Sequence, residues 1–185
     1  MTKKTTLSTA LLIFVLVFSI SIFAVTDNTY AAGMKVTSSG IKNGVIQEKY
    51  GMYGKVNNYV PTCSIPFTIK NPPKGTKYYA IYMYDPDGGN WTHWLAANYS
   101  SKTFPEDASR IKASSMVQGK NSFKTIGYGG PTPPDKTHTY TIKIYALKSK
   151  LDLKKGFTKK QFLTEIMGKV AGTITIEAKY IKKKK

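Results

Sequence analysis

Three stretches of this chain alternate apolar and polar residues with a period of two: Ser64 to Ile69, Thr139 to Leu147 (TYTIKIYAL) and Thr173 to Tyr180 (TITIEAKY). A fourth, Lys77 to Tyr84 (KYYAIYMY), is dense in aromatic and β-branched residues. Successive side chains on a strand point to opposite faces, so this spacing commits a face of each run to a core. Gly, Pro, Asn and Asp clusters bound every run. Several strands separated by such turn residues predict an all-β fold, a sandwich or barrel of antiparallel sheets.

One segment departs from that period. Thr158-Lys159-Lys160-Gln161 has the form of a capping box, in which a threonine hydroxyl and a glutamine side chain satisfy each other's backbone N–H groups. Phe162, Leu163, Ile166 and Met167 come next at helical spacing, and Gly168 is placed to stop the helix. The pattern predicts a short helix from Thr158 to Met167, with all four apolar residues facing the core.

The N-terminus reads differently. Lys3 and Lys4 precede an apolar stretch from Leu7 to Val25, and the small pair Ala31-Ala32 comes after it. That order of charge, apolar run and small residues is a secretory signal peptide, assigned to residues 1–32. An uncleaved membrane anchor is the competing reading, since roughly 20 apolar residues span a bilayer. A lipoprotein is excluded because the only cysteine is Cys63. The remainder of the chain is one domain over residues 33–181, then a lysine tail over 182–185. A lone cysteine closes no internal disulfide, so an exported domain of this kind relies on packing. Cys63 is expected to be a small buried apolar residue.

Cleavage removes Lys3, Lys4 and Asp27 and lowers the formal net charge of +18 by one. A field of that sign favours anionic partners: phospholipid headgroups, an anionic membrane or wall surface. Nucleic acid is not expected. Base readout leans on arginine forks, and here Arg110 is the only arginine among dispersed lysines.

Two histidines exist. His93 lies in the turn-rich Asp85-Pro86-Asp87-Gly88-Gly89-Asn90-Trp91-Thr92-His93-Trp94. His138 and Tyr140 come after Gly127-Tyr128-Gly129-Gly130-Pro131-Thr132-Pro133-Pro134 and share one strand face. Imidazoles, a phenol and glycine-rich backbone all offer hydrogen bonds to a small anion. Asp85 suits the task of fixing a histidine tautomer or holding an imidazolium. The alternative is that the histidines tie down turns and Asp85 caps one. A zinc site lacks paired ligand spacing. No nucleophile-elbow or nucleotide-type phosphate loop is present, and no cofactor is implied. These residues describe a binding protein and not an enzyme.

The Asp-Pro-Asp block with its Gly-Gly-x-Trp-x-His-Trp sequel, and the Gly-Tyr-Gly-Gly-Pro-x-Pro-Pro block with His138, Tyr140 and Tyr145-Ala146-Leu147, resemble the phosphatidylethanolamine-binding protein family. The bacterial branch often called Raf kinase inhibitor-like is the nearer match. The similarity runs from about Met34 to Tyr180. It implies a β-sandwich with a few short peripheral helices, and a pocket for phosphate- or carboxylate-bearing ligands such as a phospholipid headgroup. By position, the family's pocket residues fall on Asp85, His93, Gly130, Pro131, His138 and Tyr140, with Trp91 at the rim. The resemblance also implies a second role, inhibition of a protease or kinase through the rim and the Pro131 to Pro134 loop. Two departures stand out. Gly88-Gly89 come after the Asp-Pro-Asp triplet where the family has Ala-Pro, and Val60-Pro61 stands where Ser-Pro is usual.

If the leader is cleaved, intact mass spectrometry of the secreted protein should find a chain starting at Ala32 or Gly33. A membrane-bound product that retains Met1 would overturn the assignment.

Overall fold

The computed structural model describes residues 33–111 and 115–184, so the signal peptide lies outside the described residues. The strands are β1 (Lys35–Thr37), β2 (Ile41–Lys42), β3 (Val45–Ile46), β4 (Val56–Asn57), β5 (Val60–Pro61), β6 (Phe67–Lys70), β7 (Tyr78–Asp85), β8 (Trp91–Tyr99), β9 (Thr103–Phe104), β10 (Val117–Gln118), β11 (His138–Leu147) and β12 (Val170–Tyr180). The helix α1 (Lys159–Glu165) lies between the last two. The main sheet has seven strands in the order β10-β8-β7-β11-β12-β3-β2. It is antiparallel except where β12 meets β3. A second sheet, β1-β6-β9, packs on one face, and β4-β5 form a separate hairpin. The predicted all-β sandwich is the fold.

The main sheet is covered on both faces, which explains why β7 and β8 lack a clean apolar–polar alternation. One face presents Ile81, Met83, Trp94, Ala96, Ile142 and Ile144 to Phe67, Ile69 and Phe104 of the second sheet. The other presents Ala80, Tyr82, Leu95, Ala97 and Tyr145 to Leu151, Phe157, Phe162 and Ile166. β8 is therefore buried from Thr92 through Asn98. The sequence pattern places Trp91 to Trp94 in a turn. In the structure these residues open the nine-residue β8. In the other direction, Ser64 to Pro66 fall outside β6. Pro66 has no N–H to give the ladder.

The capping box forms as expected. Thr158 Oγ1 accepts from Gln161 N–H at 3.2 Å, and Gln161 Oε1 accepts from Thr158 N–H at 2.8 Å. Gly168, at φ 73°, ends the segment in the left-handed region. The apolar face is narrower than expected. Phe162 and Ile166 are buried, whereas Leu163 and Met167 are exposed, Met167 by 69%. Only about one turn of a seven-residue helix faces the sheet, so i and i+4 from one register are covered and the adjacent pair is not. Cys63 is only partly buried. The tail starts docked: Lys182 N–H donates to Thr137 Oγ1 at 3.1 Å, and Lys183 N–H to the Tyr53 hydroxyl at 2.8 Å.

Urea unfolding should separate these roles. Phe162→Ala should cost about 3–5 kcal/mol and Thr158→Ala about 1 kcal/mol. Met167→Gln should change stability by less than about 0.5 kcal/mol.

Candidate functional site

β7 ends at Asp85, and there the chain turns away from β11. The last β7–β11 pair is Tyr84 with Thr141, so the backbone of His138 to Tyr140 is paired with that of β12 and of no other strand. The groups singled out in the sequence converge at this open end of the sheet.

Asp85 is buried, and each oxygen of its carboxylate has one partner. Oδ1 accepts from Gly88 N–H at 3.0 Å, and Oδ2 lies 2.7 Å from His138 Nδ1. His138 Nε2 lies 2.9 Å from Asp135 Oδ1. Carboxylates on both ring nitrogens require N–H on both, which is the imidazolium form. Burial of His138 opposes that charge, but the bonds to Asp85 and Asp135 outweigh it and its pKa is raised. Asp87 adds a second tie, accepting from Thr139 N–H at 2.9 Å. The turn after β7 is thus bound to two consecutive residues of β11.

His93 is the opposite case. Its Nδ1 lies 2.6 Å from the Gly129 carbonyl, which only accepts, so Nδ1 carries the proton. The Gly129 N–H returns a bond to the His93 carbonyl at 2.9 Å. Burial pulls the His93 pKa down to about 4, against smaller upward pulls from Gly129 and Asp85. The ring is neutral at ordinary pH, and its Nε2 offers a lone pair. Desolvation thus keeps His93 uncharged, and of the two imidazoles only His138 faces acceptors from both nitrogens.

A β-bulge aims His93. Along β7–β8, Met83 pairs with Trp94 and Tyr84 with Thr92, leaving His93 as the extra residue. In a regular strand His93 and Trp94 would face opposite sides of the sheet. The bulge lets Trp94 enter the core while His93 packs edge-on to Tyr140, centroids 5.1 Å apart. Phe123 lies edge-on to His93 at 5.6 Å, and Trp91, 41% exposed, lies edge-on to Phe123 at 5.4 Å. Trp91 is thus the outermost ring of this aromatic stack.

The Tyr140 hydroxyl is fully buried and makes no hydrogen bond among the described residues. Burial and then the nearby Asp85 charge push its pKa far up, so it stays protonated. The Asp85 carboxylate and the Thr132 backbone lie beside the hydroxyl, outside hydrogen-bond geometry, and each Asp85 oxygen keeps a further lone pair beyond its one partner. Gly130 and Pro131 serve mainly as backbone. Gly130 N–H donates to the Pro61 carbonyl at 2.9 Å, and Met52 N–H to the Pro131 carbonyl at 2.8 Å. A Cβ on Gly130 would stand 2.1 Å from the Tyr50 carbonyl oxygen, so no larger residue fits. Pro131 and Pro133 are buried and only Pro134 of that run is exposed. The expected contact surface is reduced accordingly.

Sequence reasoning missed Asp135, Asp87 and Phe123 as members of the cluster. Asp135 carried a signal, its i, i+3 spacing to His138. A separate open cleft of about 560 Å³, flanked by Lys154, Lys155 and Lys160, shares no residue with this cluster.

The two histidines should act oppositely on stability. Between pH about 6.5 and 4 the unfolded chain protonates at position 93 and the folded chain does not, so stability falls with pH there. His138, with its raised pKa, adds stability below pH about 6.5 that is lost as pH rises through its folded value. Urea titrations should show a shallower acid loss in His93→Asn, which keeps a donor for Gly129 but cannot protonate. An unchanged slope between pH 6.5 and 4 would refute the assignment.

Comparison with known proteins bears on the family and the fold. The family model "Phosphatidylethanolamine-binding protein" matches residues 36–181. The chain is 34% identical to the uncharacterized protein YxkA of Bacillus subtilis, covering 73% of this chain and 93% of that one. It is also 34% identical to YbcL of Escherichia coli, covering 72% and 79%. Two crystal structures superpose with a TM-score of 0.70 at 30% identity. Chlamydia trachomatis CT736, described as a phosphatidylethanolamine-binding protein homologue, covers 81% of this chain and is itself covered to 98%. E. coli YbcL, described as a member of the mammalian PEBP family, gives 81% and 99%. The chain belongs to the phosphatidylethanolamine-binding protein family.

Proposed function

We propose that this protein is exported and binds one small phosphate- or carboxylate-bearing ligand at the Asp85–His138–His93–Tyr140 cluster, without catalysing a reaction on it. The buried, unpartnered Tyr140 hydroxyl carries the reading. A buried hydroxyl without a partner costs about 1–3 kcal/mol, and a ligand oxygen beside it recovers that cost. The His138 imidazolium supplies charge and an N–H. The His93 lone pair accepts from a ligand N–H or O–H, which suits an ammonium group or a protonated phosphate. Support for a binding role comes also from the histidine bonds: their partners are a carbonyl and two carboxylates, with no serine, threonine or cysteine nucleophile among them. Export rests on the N-terminal sequence alone. Dispersed lysines favour an anionic membrane or wall surface as the setting.

Calorimetric titration with inorganic phosphate and with glycerophosphoethanolamine tests the pocket and tells a free phosphate from a headgroup. Tyr140→Phe should weaken binding by roughly 10- to 100-fold, the worth of a charge-assisted hydrogen bond, while leaving the protein as stable or more so. Affinity should be lost as pH rises through the raised His138 pKa, because the neutral ring gives up the charge. Wild-type affinity in Tyr140→Phe would end the anion-pocket reading.

A further inference from the structure

His138 Nε2 is the one N–H of the imidazolium directed away from Asp85, and it already has an anion on it. Asp135 Oδ1 lies 2.9 Å away. The two carboxylates on this ring differ in kind. The Asp85 side chain is 6% exposed, and leaving His138 would strand a buried charge. The Asp135 side chain is 65% exposed, so it moves from the ring into water at little cost. It stands on the exposed stretch Pro134-Asp135-Lys136, behind the buried Pro133.

We propose that the Asp135 carboxylate is a built-in competitor, occupying the His138 Nε2 donor that an oxyanion needs, and that an anion binds by displacing it. The proposal rests on the anion-pocket reading of the same cluster. A ligand oxygen cannot share Nε2 with Asp135, because one N–H serves one strong acceptor and two like charges at hydrogen-bond distance repel. Displacement needs no backbone change: rotation of one exposed side chain frees the donor. Asp135 then sets a threshold. A singly charged carboxylate exchanges for an equal charge already tethered in place, whereas a doubly charged phosphate outcompetes it. The titratable and charged groups around the ring are Asp85, Asp135, Tyr140 and His93.

The test titrates inorganic phosphate calorimetrically into the full mature chain, as wild type, Asp135→Asn and Asp135→Ala. A fully exposed ion pair is worth about two- to fivefold in an equilibrium, and here one partner is buried, so both variants should bind phosphate at least that much more tightly. Nitrogen-15 NMR of the imidazoles supplies a second readout. In Asp135→Ala the His138 pKa should drop, while His93 keeps its neutral tautomer. Phosphate bound equally or more weakly by both variants, with wild-type binding intact, overturns the proposal and leaves the anion pocket standing. An unmoved His138 pKa in Asp135→Ala also overturns it. If wild type and both variants all fail to bind phosphate, the pocket reading falls and the proposal falls with it. Binding by the variants but not by wild type is its strongest support.

Discussion

Strand β11 is hydrogen-bonded to β12 along its length and to β7 over all but its first three residues. That difference of three residues organises the rest. Where both neighbours are present, the strand is core: Ile142 and Ile144 enter the inter-sheet layer and Tyr145 and Leu147 the opposite one. Where β7 has turned away, backbone order persists, and side chains take the place of the neighbouring strand: Asp85, Asp87 and His93 lie against His138, Thr139 and Tyr140. His138 and Tyr140 stand at that step on a rigid element. A side chain on a strand, even one paired on a single side, is held more firmly than one on a loop, and binding groups benefit from being held.

The charges at this step compensate one another locally. Asp85 and His138 form a buried pair, and such a pair persists only when its remaining bonding capacity is met. Gly88 meets it for Asp85 and Asp135 for His138. The neighbouring His93 reaches neutrality by another route, through desolvation. Two imidazoles within one aromatic cluster thus hold different protonation states at one pH. One donates and carries charge; the other accepts. This division is a sharper description of the site than two equivalent cationic donors, and its cause is which groups face each ring.

The net charge and the site are separate matters. The excess of lysine gives the molecule an attractive field for anions at long range. At the cluster itself the nearby charged side chains are mostly acidic, namely Asp85, Asp87 and Asp135. Long-range attraction and local selection therefore have different origins, and substitutions in one should leave the other in place.

Strand content, the capping box at Thr158 and the family were legible in the sequence, because each is a local pattern: period two, an i, i+3 pair and two ordered motif blocks. The convergence of Asp85, His93, His138 and Tyr140 was legible only through the resemblance. β8 was hidden, because a strand buried on both faces loses its alternation and its Gly-Asn approach resembles a turn. The exposure of Leu163 and Met167 was hidden too, since helical spacing says which residues share a face and not how much of that face a neighbour covers. The bulge that turns His93 onto the side of Trp94, the loss of its charge, the isolation of the Tyr140 hydroxyl and the seating of Asp135 on His138 were decided by tertiary structure alone. Register depends on the partner strand, and protonation on the groups that displace water. Both are supplied by residues tens of positions away, so no local pattern records them.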